Sequence, residues 1–144
     1  MEGQRYIVNV EGAIVHDGRY LLVVRGEEEE HAAGVLALVG GKLEGTDEEL
    51  HACEDCLRRE IREEVGVEVG EMTYLYNNIF GAEPVLDIIY LCRYASGAPT
   101  ITDPGEVAEI LWLTAAEAHA HPAAPPWLHT QLEHAEIMRQ RLDW

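Results

Sequence analysis

The chain has 144 residues, 47% of them hydrophobic, with 27 acidic against 10 basic side chains, a formal net charge of −17 and an isoelectric point near 4.6. That length supports one hydrophobic core of useful size, and residues 1–144 read as a single domain. Such acidity excludes partners held through a sequence-independent phosphate backbone, so DNA, RNA and anionic membranes are not expected; a small anionic nucleotide stays compatible, because a bound cation reverses the local field.

In chain order, the opening MEGQRYIVNVEG lacks the apolar core of a signal peptide, and no run reaches the length of a membrane span. Three cysteines cannot pair off completely, and together these features predict a cytoplasmic protein. Residues 6–15 and 20–24 predict two strands around an Asp17-Gly18 hairpin turn. Residues 27–34 read as a loop whose four consecutive glutamates, Glu27 to Glu30, are solvated charge or, beside a site, ligands for extra metal. Residues 35–39 predict a strand that delivers the chain to a glycine turn at Gly40 and Gly41, followed by Lys42, the sole lysine. A helix follows over 49–65, then strands over 69–80 and 85–94, a turn-rich link over 97–105 and a strand over 107–113. A short helix over 115–119 is stopped by Pro122, Pro125 and Pro126. The last helix, 127–142, has Leu128, Leu132, Ala135, Ile137 and Met138 as its inner face. Strands mixed with helices early and late indicate an α/β fold, a sheet covered on both sides.

The helix over 49–65 carries the chemistry. At about 100° per residue, Glu63 and Glu64 fall roughly 60° to one side and 40° to the other of Glu60, so the three carboxylates share a sector. Leu50, Leu57, Ile61 and Val65 occupy the neighbouring sector and would dock the helix. The plainer alternative is a solvated face on which Arg58, Arg59 and Arg62 pair with Glu54, Asp55 and Glu63. Cys53 and Cys56 with His51 invite a zinc site, but a closed site wants four ligands and Cys92 sits in an apolar strand; small inward-facing hydrophobes are the simpler account.

The segment GGKLEGTDEELHACEDCLRREIREEVGV resembles the Nudix box of hydrolases that act on nucleoside diphosphates linked to another group. Its second half, Arg59 to Val67, meets every fixed position. The first half departs: Gly41 and Arg59 differ by eighteen in number where the family has fourteen, leaving four extra residues. Counting forward from Gly41 puts Asp47 at the family's glutamate position, counting back from Arg59 lands on His51, and Asp47, Glu48, Glu49 or Glu54 could supply the carboxylate.

The resemblance implies a Nudix alpha/beta/alpha sandwich with a mixed sheet and a hydrolase of phosphoric anhydride bonds. It implies Mg²⁺, or Mn²⁺ in its place, held by Glu60 and Glu64, with Glu63 completing the cluster and the Gly41 carbonyl adding a backbone ligand. Arg59 would orient neighbouring carboxylates, and Lys42 suits phosphate or a box carboxylate. For the general base, Glu60 competes with Glu106 and Glu109; a carboxylate held by a cation is a poor base, which favours Glu106. The substrate would be a small nucleotide derivative, and a homodimer accords with the family. Two other readings remain: a noncatalytic nucleotide-binding module of the same fold, and an isomerase of isoprenoid diphosphates, which would require a reactive cysteine. Pro84 stands where branches that cleave ADP-ribose carry a proline, and also fits an ordinary turn.

Overall fold

A computed structural model describes residues 3–29, 31–47 and 49–144; Glu30 and Glu48, named above as candidate acidic groups, lie outside them. Seven strands form one mixed sheet: β1 (Ile7–His16), β2 (Arg19–Arg25), β3 (Leu36–Ala37), β4 (Val39–Lys42), β5 (Glu68–Phe80), β6 (Val85–Ser96) and β7 (Val107–Leu113). The path is β3-β2-β1-β6-β5, with β4 added to β1 and β7 to β2. β1 runs parallel to β6, from Ile7 opposite Val85 to Val15 opposite Arg93, and antiparallel to β2 and β4. Asp17 and Gly18 both take positive φ, 49° and 73°, the geometry of a tight hairpin turn matched to strand twist.

Alternation along β1 explains the two covered faces. Val10 and Ile14 point into one core with Leu57, Ile61 and Val65 of α1 (Ala52–Val65), whereas Ala13 and Val15 point into a second core. That second core includes Ala118 of α2 (Ala115–Ala120) and Leu128, Leu132 and Ala135 of α3 (Pro126–Leu142). The result is the α/β fold with helices on both faces of a mixed sheet.

Four expectations are corrected. The helix begins at Ala52, not at residue 49, because His51 takes a left-handed conformation (φ 59°) that helical backbone cannot adopt. Leu50 therefore sits in the preceding loop, 75% exposed, and forms no part of the helix face. Gly40 and Gly41 lie within β4, opposite Glu11 and Val10, so the chain turns only after Lys42. On α3, Ile137 faces solvent and Gln131 is buried in its place, since the apolar spacing of that helix is irregular.

Candidate active site

The sheet and α1 meet at Gly41. A Cβ added there would lie 2.3 Å from Cδ and 2.6 Å from Oε2 of Glu60, so only glycine lets the β4 backbone press against that carboxylate. Glu60 is anchored from below by Leu57, Ile61 and Val65, all fully buried, and its side chain is 14% exposed. Burial raises its pKa, and Glu63 and Glu44 add to the rise against the pull of Arg59. Glu64, one residue beyond Glu63, is pushed up to about 8 by burial and by the charges of Glu60, Glu106 and Glu29, with Arg25 opposing. Glu106 is raised by desolvation and by Asp103, Glu29, Glu28 and Glu63. The structure thus brings Glu60, Glu63, Glu64 and Glu106 into one crowded negative field.

Their positions differ. Glu63 is exposed and leans toward Arg59, whose Nη1 donates to it at 3.4 Å. Glu106 follows the turn made by Asp103 and Gly105, and its backbone carbonyl accepts from Gly26 at 2.8 Å, joining the loop to the end of β2. Glu109 is exposed further along β7, opposite Val24. Lys42 is exposed beside the glycine pair; no ion pair of its ammonium forms among the described residues.

Among the described residues, no three acidic, histidine or cysteine side chains close on a common point as a ready-made cation cage. The donor set nevertheless fits a hard divalent cation. Carboxylates and a backbone carbonyl are the oxygen ligands that magnesium and manganese prefer, the Gly41 backbone lies close against the Glu60 carboxylate, and magnesium takes few ligands from protein.

Arg59 lies against three of the acids. It donates to Asp47 from Nε at 3.1 Å and Nη2 at 3.3 Å, and to Glu60 from Nη1 at 3.0 Å. Asp47 is itself held by the Glu44 amide, which donates at 2.7 Å; that bond, ahead of Arg59, keeps its carboxyl below the usual range. Of the three candidates among the described residues, Asp47 is the carboxylate in contact with Arg59; Glu49 is exposed in the loop and Glu54 accepts from the Tyr90 hydroxyl at 3.3 Å.

The plainer pairing scheme holds only for Arg59 and Glu63. Arg58 donates instead to the carbonyls of Val69 and Gly70, at 2.6 and 2.8 Å, and Arg62 to Glu68 at 2.6 Å. Cys56 and Cys92 are fully buried small hydrophobes and Cys53 is half-buried; among the described residues they build no metal site. Burial pushes the Cys92 thiol up to about 12, the opposite of what a reactive cysteine requires. Pro84 closes the turn between β5 and β6, where its carbonyl accepts from Ile7 at 2.9 Å. Sequence reasoning missed Arg25. Arg25 ends a strand with nothing in its spacing to mark it, yet its positive charge opposes the crowding at Glu64.

The family model described as NUDIX domain matches residues 7–134. The NAD-capped RNA hydrolase NudC of Pseudomonas putida is 30% identical over 105 residues, 72% of this chain and 38% of that protein. The chain therefore spans well under half the length of this curated relative. A crystal structure of a MutT NUDIX hydrolase from Burkholderia pseudomallei superposes with a TM-score of 0.76 at 27% identity, covering 91% of this chain and 98% of that one. A MutT protein from Methanosarcina mazei Go1 shares the fold with a TM-score of 0.75 at 21% identity, over 97% and 99% of the two chains.

Proposed function

Because the chain belongs to the NUDIX domain family, we propose that residues 1–144 act as a single-domain pyrophosphohydrolase, dependent on Mg²⁺ or Mn²⁺, that cleaves the diphosphate linkage of a nucleoside di- or triphosphate derivative. The observation that carries this reading is the contact of the Gly41 backbone with Glu60, beside Glu64 among crowded acids that Arg59 and Arg25 offset only in part. A binding module has no need of such a costly concentration of carboxylates. The buried, inert thiol of Cys92 weighs against the isomerase reading.

Glu60, Glu64 and the Gly41 carbonyl would hold the metal, with Glu63 beside them. When bound there, the cation neutralises phosphate oxygens and lowers the pKa of the attacking water. Arg59 fixes the orientation of Glu60 through the bond at 3.0 Å and is itself fixed by Asp47. Glu106, whose proton affinity is raised by desolvation and neighbouring acids, takes the proton of that water; Arg59 makes no bond to it, unlike Glu60. Lys42 meets a substrate phosphate from the rim. Three free cysteines suit a reducing, cytoplasmic setting.

The test is release of phosphate-containing product from a panel of triphosphates, ADP-ribose, dinucleoside polyphosphates and nucleotide sugars. Activity with Mg²⁺ is expected on at least one of them, lost in chelator. Glu64→Gln should lower kcat by about 100-fold or more while leaving thermal unfolding intact. Full activity in chelator would defeat the mechanism.

A further inference from the structure

Glu106 is exposed, so side-chain packing does not fix it and its place beside the acids of α1 follows from its backbone. That backbone is held in two ways. Within its own turn, the Asp103 carboxylate accepts from the Gly105 amide at 2.9 Å, and the Asp103 carbonyl accepts from the amides of Glu106 and Val107 at 3.0 and 2.9 Å. From outside, the segment after β2 reaches across: the Gly26 amide donates to the Glu106 carbonyl at 2.8 Å, and the Glu28 amide to the Gly105 carbonyl at 3.1 Å.

The two segments meet through glycines. A Cβ on Gly26 would lie 2.0 Å from the Gly105 carbonyl oxygen, and one on Gly105 would lie 2.0 Å from Oε2 of Glu28. Neither glycine takes a positive φ, so space rather than backbone conformation calls for them. The register of β2 against β7 also shifts here, from Val24 opposite Glu109 to Arg25 opposite Val107, which takes up one extra residue of β7. Irregularities of this kind bend a strand and re-aim the side chains beside it.

Arg25 fastens the other side. Its Nη2 donates to Glu29 at 2.9 Å and its Nε to the His31 carbonyl at 3.0 Å. Its backbone amide donates to the Val35 carbonyl and its carbonyl accepts from Gly34, both at 2.9 Å. A part-exposed ion pair of this sort adds little to stability. It does oppose a local repulsion: behind desolvation and Asp103, the charges of Glu29 and Glu28 raise the Glu106 pKa, so the two segments bring like charges together.

We propose that Arg25 and Gly26 are positioning residues for the reaction: they latch the segment after β2 onto the turn from Asp103 to Glu106 and so set where the Glu106 carboxylate meets the attacking water. The inference rests on the proposed function, with Glu106 as proton acceptor, and extends it to residues that act through Glu106. A misplacement of about 1 Å at a reacting group costs about 100-fold in rate, so a small loosening of the latch is visible in kcat.

The test measures kcat, KM and the half-saturating Mg²⁺ concentration for Arg25→Ala, Gly26→Ala, Glu106→Gln and the two double variants, with thermal unfolding of each. Hydrogen exchange at the Gly26 and Glu28 amides is followed in the wild type and in Arg25→Ala. In each latch variant kcat and kcat/KM should fall together by about 10- to 100-fold, with KM and the Mg²⁺ requirement unchanged. Neither substitution should cost anything further in the Glu106→Gln background, and both amides should exchange faster in Arg25→Ala. Gly26→Ala alters no charge, so a matching loss in both variants assigns the effect to the latch rather than to the field of Arg25 at Glu64. Should Gly26→Ala fail to fold, the part-exposed Arg25 carries the test. Losses that add in full to that of Glu106→Gln, or unchanged amide exchange, overturn the latch while leaving Glu106 as the base. Wild-type kcat in Glu106→Gln overturns that assignment and the inference with it. Absence of turnover on every substrate would overturn the proposed function, and amide exchange then still reads the latch itself.

Discussion

Asp47 is gripped by the Glu44 amide at 2.7 Å and by Nε and Nη2 of Arg59, whose Nη1 in turn holds Glu60. Asp47→Ala should therefore weaken the hold on Glu60, the carboxylate proposed to bind metal, without touching it. An outer partner of this sort typically costs about 10- to 100-fold in affinity or activity. The expected outcome is a fall in kcat/KM of that size with a raised half-saturating Mg²⁺ concentration; an unchanged metal titration would remove Asp47 from the site. At this scale the second half of the box was legible because its spacing is rigid: Glu60, Glu63 and Glu64 ride on one helix whose period fixes their sector. The first half was not. Its extra residues lie in a loop, where spacing does not determine which carboxylate reaches Arg59. Glu11 and Asp87, 76 apart in number, were not legible together because the parallel pairing of β1 with β6 is what brings them near each other.

Elements followed the same logic. The strands and α1 could be read from alternation and from Leu57, Ile61 and Val65, and only ends and breaks were misjudged, where one left-handed residue or a glycine pair inside a strand decides. α3 was harder, as its docking depends on polar links rather than a clean apolar stripe. Tyr20 of β2 donates to Glu136 at 2.8 Å, and Arg139 donates to the same carboxylate at 2.7 and 3.0 Å. Although desolvation acts to raise it, Arg139 and Tyr20 hold the Glu136 pKa below its usual value. A depressed carboxylate stabilises the fold above its unfolded pKa of about 4.3 and loses that contribution as pH falls through the folded value. Melting temperatures from pH 7 to pH 3 should show wild type above Glu136→Gln at neutral pH, with the gap closing below about pH 4. A gap independent of pH would mean that charge has no part in docking α3.

The molecule as a whole carries a formal charge of −17, and part of it is concentrated around Glu60, Glu64 and Glu106. Folding has to hold those groups together against their repulsion, so a cation that binds only the folded state should stabilise the entire chain. At 100 times its dissociation constant, Mg²⁺ or Mn²⁺ is expected to add about 2.7 kcal/mol, a rise on the order of 10 °C in melting temperature. The same addition to Glu64→Gln should give a much smaller rise, and calorimetric scans with and without the ion decide it. Equal shifts in both proteins would point to nonspecific screening.

The long strand β5 ends the sheet path, and nothing pairs beyond it among the described residues, while Ile79 is 60% and Phe80 49% exposed near its tip. An open flank with greasy ends is a template for strand-to-strand growth between molecules. What keeps copies apart in dilute neutral buffer is mutual repulsion of like-charged particles, and it fades on acidification toward the isoelectric point near 4.6. Turbidity should accordingly appear first in that range, and Ile79→Lys should delay it at matched distance from each protein's own neutral point. If the lysine variant clouds as readily, the seed for precipitation lies elsewhere on the surface.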